Sequence, residues 1–527
     1  MGERGEVHDG ARLERDLALE CDVAVIGTGA GGGTAAEILA QAGLKVVMIE
    51  AGAYLTARDF TLHESQAYPD LYQEAAGRKS KNKAITILQG RAVGGSTTVN
   101  WTTCFRTPEP TLARWRGAHG LEDYTPAALA PWFGMMEKRL NIHTWTEYPP
   151  NENNQALLRG ARRLGWQAGV IRRNVRDCID LGYCGLGCPV AAAQSMVVTT
   201  VPGALAEGAV LVTRVRAERL DIRGDRVRAV EGVALDPTGL NPTGRAVRVE
   251  AARFVLAGGG IDGPALLLRS GAPDPYRRLG RRVFLHLVNA SGALMPERVD
   301  GFYGAPQSIY CDEFLWRDGA GGRCGYKLEV PPLYPAISMA AAKDHGPWSA
   351  RIARRFSHIH SIIALMRDGF HPDSPGGVVE LRDDGSPVLD YRLTDYLRDG
   401  LRRAFLSMAE CQFAAGARRV FPFHHDRPPA GYRSWREARE GIRDLPIEAL
   451  RLTLFSAHVM GGCAMGARAE QAVVDPEGRH HQLANLYVFD GSIFPTSIGA
   501  NPQLSIYGIV ARNATRLAAA TGDSRRG

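Results

Sequence analysis

Toward the C-terminal end of the 527-residue chain, Ser456-Ala457-His458-Val459-Met460-Gly461-Gly462-Cys463 sets a histidine just ahead of a glycine-rich turn, and Asn501-Pro502 follows later. An imidazole titrates near neutrality and can take a proton from a hydroxyl, while a primary amide can hold an oxygen without competing for that proton. In isolation, one histidine among 14 is more often structural than chemical, so its meaning depends on its surroundings. Three further groups that could do chemistry, Cys178, Cys184 and Cys188, share one glycine-rich segment.

Any such chemistry has to be positioned by ordered elements, and the best defined of these lies at the opposite end of the chain. Cys21-Asp22-Val23-Ala24-Val25-Ile26 reads as an apolar strand running into Gly27-Thr28-Gly29-Ala30-Gly31-Gly32, a G-x-G-x-x-G turn. Gly27 permits the sharp turn, Gly29 lets backbone approach a pyrophosphate, and Gly32 lets the following helix pack closely on the sheet. Ala35, Ile38, Leu39 and Ala42 then recur on one helical face, with Gly43 placed to end the helix. A second strand, Lys45 to Ile49, closes with Glu50 at the spacing that suits ribose hydroxyls. Strand, helix, strand and acid together predict a dinucleotide site.

Composition bounds the rest. Apolar content of 45% and charged content of 23% are those of a globular protein, with length for two or three domains. The net charge of +7 is spread along the chain. The densest basic run, Arg78 to Lys83, lacks interleaved aromatics and reads as a solvated loop, which argues against a nucleic-acid partner. The N-terminus lacks a signal-peptide pattern, no apolar run is long enough to span a membrane, and nine cysteines, an odd number in so long a chain, do not suggest a disulfide framework. The expectation is a cytoplasmic protein with free thiols.

Glycine-rich apolar stretches at 21–52, 88–101, 253–271 and 485–510 are separated by regions richer in charge and proline, which predicts a nucleotide-binding domain assembled from separated segments with a second domain inserted. Ala209 to Val215 reads as a strand, and 226–233 with 245–251 as an antiparallel ribbon crossing over the parallel sheet. Phe254 to Gly260 reads as a buried strand ending in glycines. In the insert, 377–381 and 387–391 predict a hairpin around Asp383-Asp384-Gly385-Ser386, and 394–416 predicts a helix. The fold class is α/β: a Rossmann-like domain plus an α+β domain with an antiparallel sheet.

Gly90-Arg91-Ala92-Val93-Gly94-Gly95-Ser96-Thr97-Thr98-Val99-Asn100 resembles the first signature of the glucose-methanol-choline (GMC) family of FAD-dependent oxidoreductases. Gly259-Gly260 through Pro264 to Gly271 resembles the second, and Asn485 to Ser492 leading to Asn501-Pro502 is similar to the closing segment. The resemblance implies FAD held by Gly27, Gly29, Gly32, Glu50, Arg91, Gly94, Gly95, Ser96, Asn100, Val215, Gly258, Asp490, Gly491 and Pro502. It implies FAD-binding segments at 18–110, 176–275 and 455–527, and substrate-domain segments at 111–175 and 276–454. Some members tether FAD through a histidine where this chain has Val99, so the implied flavin is non-covalent.

The same resemblance makes His458 the general base and Asn501 its partner, whose N–H holds the substrate oxygen while hydride leaves for flavin N5. The implied substrate is an apolar primary or secondary alcohol, as in long-chain alcohol oxidases and cholesterol oxidases. Sterols, sugars and a lyase or decarboxylase reuse of the fold stay open, as does the electron acceptor, oxygen or another. His286, His358, His360, His424 and His425 are read as core or surface residues. Thiolates at the spacing of Cys178, Cys184 and Cys188 leave an iron–sulfur cluster open, as some bacterial members of the family carry one, but the three depart from four-thiolate spacing; their segment reads as a structural loop near the flavin and no metal site is expected.

Overall fold

The computed structural model describes residues 5–343 and 345–523. Two sheets organise the chain. In the first, Leu17–Ile26, Val46–Ile49 and Val210–Thr213 pair in parallel, with Val7–Asp9 at the edge. On its other side Leu17–Ile26 pairs in parallel with Pro242–Leu256, whose last residues also pair with Leu486–Val488. Strands this apolar on both faces need helices over the sheet. Ala30–Gln41 and Gln503–Asp523 pack against each other in that covering layer. The expected ribbon is present and longer than the pattern suggested, joining Pro242–Leu256 to Arg226–Leu235 and Val215–Arg223.

Register decides where chemistry can gather. Ile26 lies opposite both Ile49 and Leu256, and Leu256 lies opposite Val488. Gly27, Glu50, Gly258 and Asp490, one or two residues further on, therefore leave the sheet along a single edge, at the C-terminal ends of parallel strands where such folds bind ligands.

In the second sheet Val288–Leu294 pairs antiparallel with Ile359–Met366, which pairs with Tyr326–Glu329 and then Ile309–Cys311. Leu454–Ser456 joins through Phe455 opposite Val288 and carries Ile85–Ile87 beside it. Alternation sorts the side chains. Tyr326, Leu328, Ala364 and Met366 enter the core with Leu397, Leu401, Phe405 and Met408 of helix Asp395–Ala414. Lys327, Glu329, Ile363 and Leu365 belong to the opposite face. The hairpin Gly377–Leu381 with Pro387–Asp390 forms as expected.

One expectation is corrected. Lys79, Lys81 and Lys83 are exposed, but Arg78 and Ser80 are buried. The Arg78 guanidinium bonds Asp262 at 2.8 Å and Glu74 at 3.0 Å, and these two carboxylates offset the cost of desolvating it. No helix among the described residues is long and apolar enough to cross a membrane.

Candidate active site

The two sheets meet along one cavity of about 1190 Å³. Pockets for one small molecule occupy about 300–1,000 Å³, so this cavity has room for a dinucleotide and a second molecule.

At its nucleotide end, Gly27 turns the chain with φ 97°, a conformation open to glycine. A Cβ on Gly31 would lie 1.6 Å from the Phe489 carbonyl oxygen, and one on Gly32 would lie 1.9 Å from that of Gly27. Both glycines let the helix close onto the strand ends. Gly29 differs: its nearest neighbour to such a Cβ is Gly95 Cα at 3.9 Å, so its backbone is bare toward the cavity. Bare backbone at the N-terminus of Ala30–Gln41 suits a diphosphate.

Glu50 lines the cavity, its carboxyl pKa raised by burial against the hydrogen bonds it accepts. Thr28 donates to it through N at 3.0 Å and Oγ1 at 2.7 Å, and Gly52 N at 2.9 Å. All the sequence-predicted cofactor residues except Gly32 and Gly94 line the cavity. Gly94 N instead donates to Thr28 Oγ1 at 3.1 Å, tying the second glycine stretch to the first turn. Ser96 Oγ accepts from Gly90 N at 2.9 Å, Asn100 donates to Gln503 at 2.5 Å, and Arg91 donates to the Gly239 and Thr238 carbonyls. The Asp490 oxygens accept from Gly259 N and Ser492 N, both at 2.7 Å, pinning the start of helix Gly259–Arg269.

His458 and Asn501 line the same cavity. His458 Nδ1 lies 3.0 Å from Nδ1 of the fully buried His286. Burial and the charge of Lys327 push the His458 pKa down to about 3; burial, His458 and Lys327 push that of His286 well below the usual imidazole value. Asn501 Nδ2 donates to Glu329 at 3.1 Å, while its Oδ1 is buried without a protein partner. Glu329 also accepts from Gln307 Nε2 at 2.5 Å and faces Lys327 Nζ at 3.2 Å. The Lys327 ammonium in turn sits 3.0 Å from the Phe105 ring centroid, a cation–π contact. One Asn501 amide hydrogen is thus committed to Glu329, leaving the second hydrogen and the carbonyl oxygen for a ligand.

Lys327, Glu329 and Gln307 carry no signature in the sequence, and His286 is among the histidines expected in the core or at the surface. The signal available, charges alternating with Tyr326 and Leu328, equally describes a strand with one wet face. Trp101, Val288, Ile363, Leu365 and Phe455 add apolar side chains to the lining of this cavity. The cysteine segment lies behind it. Tyr72 and Tyr334 bond the Gly185 backbone at 2.6 and 3.1 Å, and a Cβ on Gly185 would lie 2.9 Å from Trp101. Among the described residues no three His, Cys, Asp or Glu side chains are disposed to hold a metal.

A parallel sheet with a dinucleotide cradle, sharing one cavity with an antiparallel sheet that carries titratable groups, defines a two-domain dinucleotide-dependent class of protein. Comparison with known proteins narrows it. Two family models, both described as GMC oxidoreductase, match residues 68–288 and 372–509. An uncharacterized GMC-type oxidoreductase from Mycobacterium tuberculosis is 31% identical across 95% of this chain and 78% of its own length. A long-chain-alcohol oxidase from Arabidopsis thaliana is 30% identical across 93% of this chain, which spans 66% of that protein. Among solved structures, pyridoxine 4-oxidase from Mesorbium loti superposes with a TM-score of 0.67 at 18% identity, covering 94% of this chain and 99% of that one. The chain belongs to the GMC family of FAD-dependent oxidoreductases acting on CH–OH groups, and its cofactor is FAD.

The cradle supports a direct test. Gly29→Ala adds a methyl group only to the cavity side, at a backbone φ of −66° that alanine tolerates. The apoprotein should keep its thermal midpoint, while FAD affinity falls by about tenfold or more, the equivalent of ~1.4 kcal/mol or more. Undiminished flavin content after dialysis would contradict the placement of the diphosphate.

Proposed function

We propose that this chain oxidises an apolar primary or secondary alcohol to the aldehyde or ketone, with His458 as general base. One observation carries the reading: His458 and Asn501 line the same cavity as the nucleotide cradle, together with the apolar side chains of Trp101, Val288, Ile363, Leu365 and Phe455. The likeness to a plant long-chain-alcohol oxidase supports the substrate class.

The substrate hydroxyl would sit between His458 Nε2, which takes its proton, and the Asn501 amide, which holds its oxygen. Bound FAD supplies the hydride acceptor. Gln307 and the Glu329–Lys327 pair keep Asn501 from turning, and Trp101, Val288, Ile363, Leu365 and Phe455 exclude water and receive the alkyl part. Each methylene they cover contributes about 0.8 kcal/mol, which favours alkanols over sugars. The buried Val99 stands where a tethering histidine would be, which supports a non-covalent flavin. Nine unpaired cysteines support a cytoplasmic setting.

The test is anaerobic titration of the holoenzyme with alkanols, aryl alcohols, sterols and sugars, followed by air, with acid precipitation of a parallel sample. Alkanols should bleach the flavin, acid should release it entirely, and air should restore it with peroxide if oxygen is the acceptor. Bleaching by sugars alone would overturn the substrate class, and no bleaching by any alcohol would overturn the reaction.

A further inference from the structure

We propose that His286 is the positioning residue that makes His458 a base: its Nδ1 accepts the hydrogen on His458 Nδ1, which leaves the His458 Nε2 lone pair facing the cavity. This rests on the reading of His458 as the proton acceptor.

Two imidazole Nδ1 atoms 3.0 Å apart need one hydrogen between them. If His286 supplied it, His458 would carry its own proton on Nε2 and could only donate into the cavity. If His458 supplies it, Nε2 is free to take a proton. The tautomer of a histidine is set by the hydrogen bond its other nitrogen makes, a task usually given to a carboxylate or a carbonyl. Among the described residues, the hydrogen bond recorded for the His458 side chain is the one to His286.

The backbone around His286 is held to aim that ring. His286 has φ 48°, in the left-handed region, which a non-glycine residue adopts only under strain. The Asp368 carboxylate clamps it there, accepting from Leu285 N at 2.9 Å and His286 N at 3.1 Å, and is itself held by Tyr391 Oη at 2.7 Å. His286 Nε2 is buried without a partner. In the proposed arrangement that nitrogen bears the hydrogen, and an unpaired buried donor is destabilising. A strained backbone and an unpaired nitrogen serve one visible contact, the bond to His458.

The proton balance is simple. The substrate O–H bond breaks, an N–H bond forms at His458 Nε2, and no proton leaves the pair. His458 then carries hydrogens on both nitrogens, and its bond to His286 becomes charge-assisted and stronger. His286 must stay neutral to accept it. The charged groups around the pair are Lys327, whose ammonium opposes a second cation, Glu329 paired to that ammonium, and Asp368 on the backbone side.

The test combines ¹⁵N-histidine NMR of apo- and holoenzyme with two variants. The wild-type spectra should show His458 protonated at Nδ1 and bare at Nε2; the reverse assignment overturns the proposal without any substitution. His286→Leu cannot accept a hydrogen bond and should slow anaerobic flavin reduction about 100-fold, with alcohol affinity changed by less than about twofold. His286→Asn keeps an acceptor near the same place, tolerates left-handed backbone, and should recover to within about tenfold of wild type. Equal slowing in both variants with lowered thermal midpoints would assign His286 to packing instead. Failure of the base reading looks different: His458→Gln would keep the wild-type rate, whatever tautomer the spectra show.

Discussion

Replacing His458 by glutamine is expected to slow anaerobic reduction of the bound flavin by alcohol about 10²–10⁴-fold, the usual contribution of a positioned base. Glutamine is close in size and can hydrogen-bond, yet cannot take the proton, so FAD content and thermal midpoint should stay near wild type. The pH dependence adds a second reading. Burial and Lys327 hold the His458 pKa at about 3, below its value in an unfolded chain, so the lone pair persists as pH falls through the ordinary imidazole range. The acid limb of the wild-type rate should therefore lie well below pH 6.5. Folding stability responds at a higher pH than activity: the unfolded chain binds protons below about pH 6.5 that the native histidine refuses, so stability already declines as pH falls from there. Stopped-flow bleaching across pH tests the acid limb, thermal unfolding across pH tests the stability, and an unchanged rate in the variant would remove His458 from the chemistry.

Lys327→Met is expected to be the most destabilising change near the site. Lys327 and Glu329 are 2% and 0% exposed, and the methionine would leave a buried carboxylate with only amide donors. Breaking one side of a buried pair costs about 3–5 kcal/mol, whereas removing both charges is often close to neutral. The double variant Lys327→Met, Glu329→Gln should therefore recover most of the thermal midpoint. Its flavin reduction should stay slow, because a neutral amide at 329 no longer dictates which end of Asn501 faces the ligand. A double variant as unstable as the single would show that the lysine matters for its contact with Phe105 rather than for its charge.

What could be read from the sequence was the part whose geometry is local. Gly27 to Glu50 is one strand–helix–strand unit, and each glycine's job follows from its place in it. The parallel pairing, the ribbon and the hairpin at 377–391 follow from apolar runs and turn residues. The network around His458 and Asn501 is another matter. His286 and His458 are 172 positions apart, and Glu329 and Asn501 likewise, so only sheet register brings them together. Lys327 and Glu329 look like solvent-facing positions because alternation gives a strand two faces without saying which is wet. Arg78 misled for a related reason: its membership of a basic run was visible, and its partner Asp262, 184 positions away, was not.

The cofactor edge has a consequence for how the protein is made. It is assembled from four parallel strand ends, and one of them, Leu486–Val488, arrives after nearly all the rest of the chain. Its Asp490 clamps an amide 231 positions earlier. Synthesis from the N-terminus exposes the turn at Gly27 to Gly32 long before the strand that closes over it exists. Tight FAD capture should then be a late event, and the half-built parallel sheet waits with an unpaired, apolar edge beside Phe254, Val255 and Leu256, a stretch open to misassociation during biogenesis.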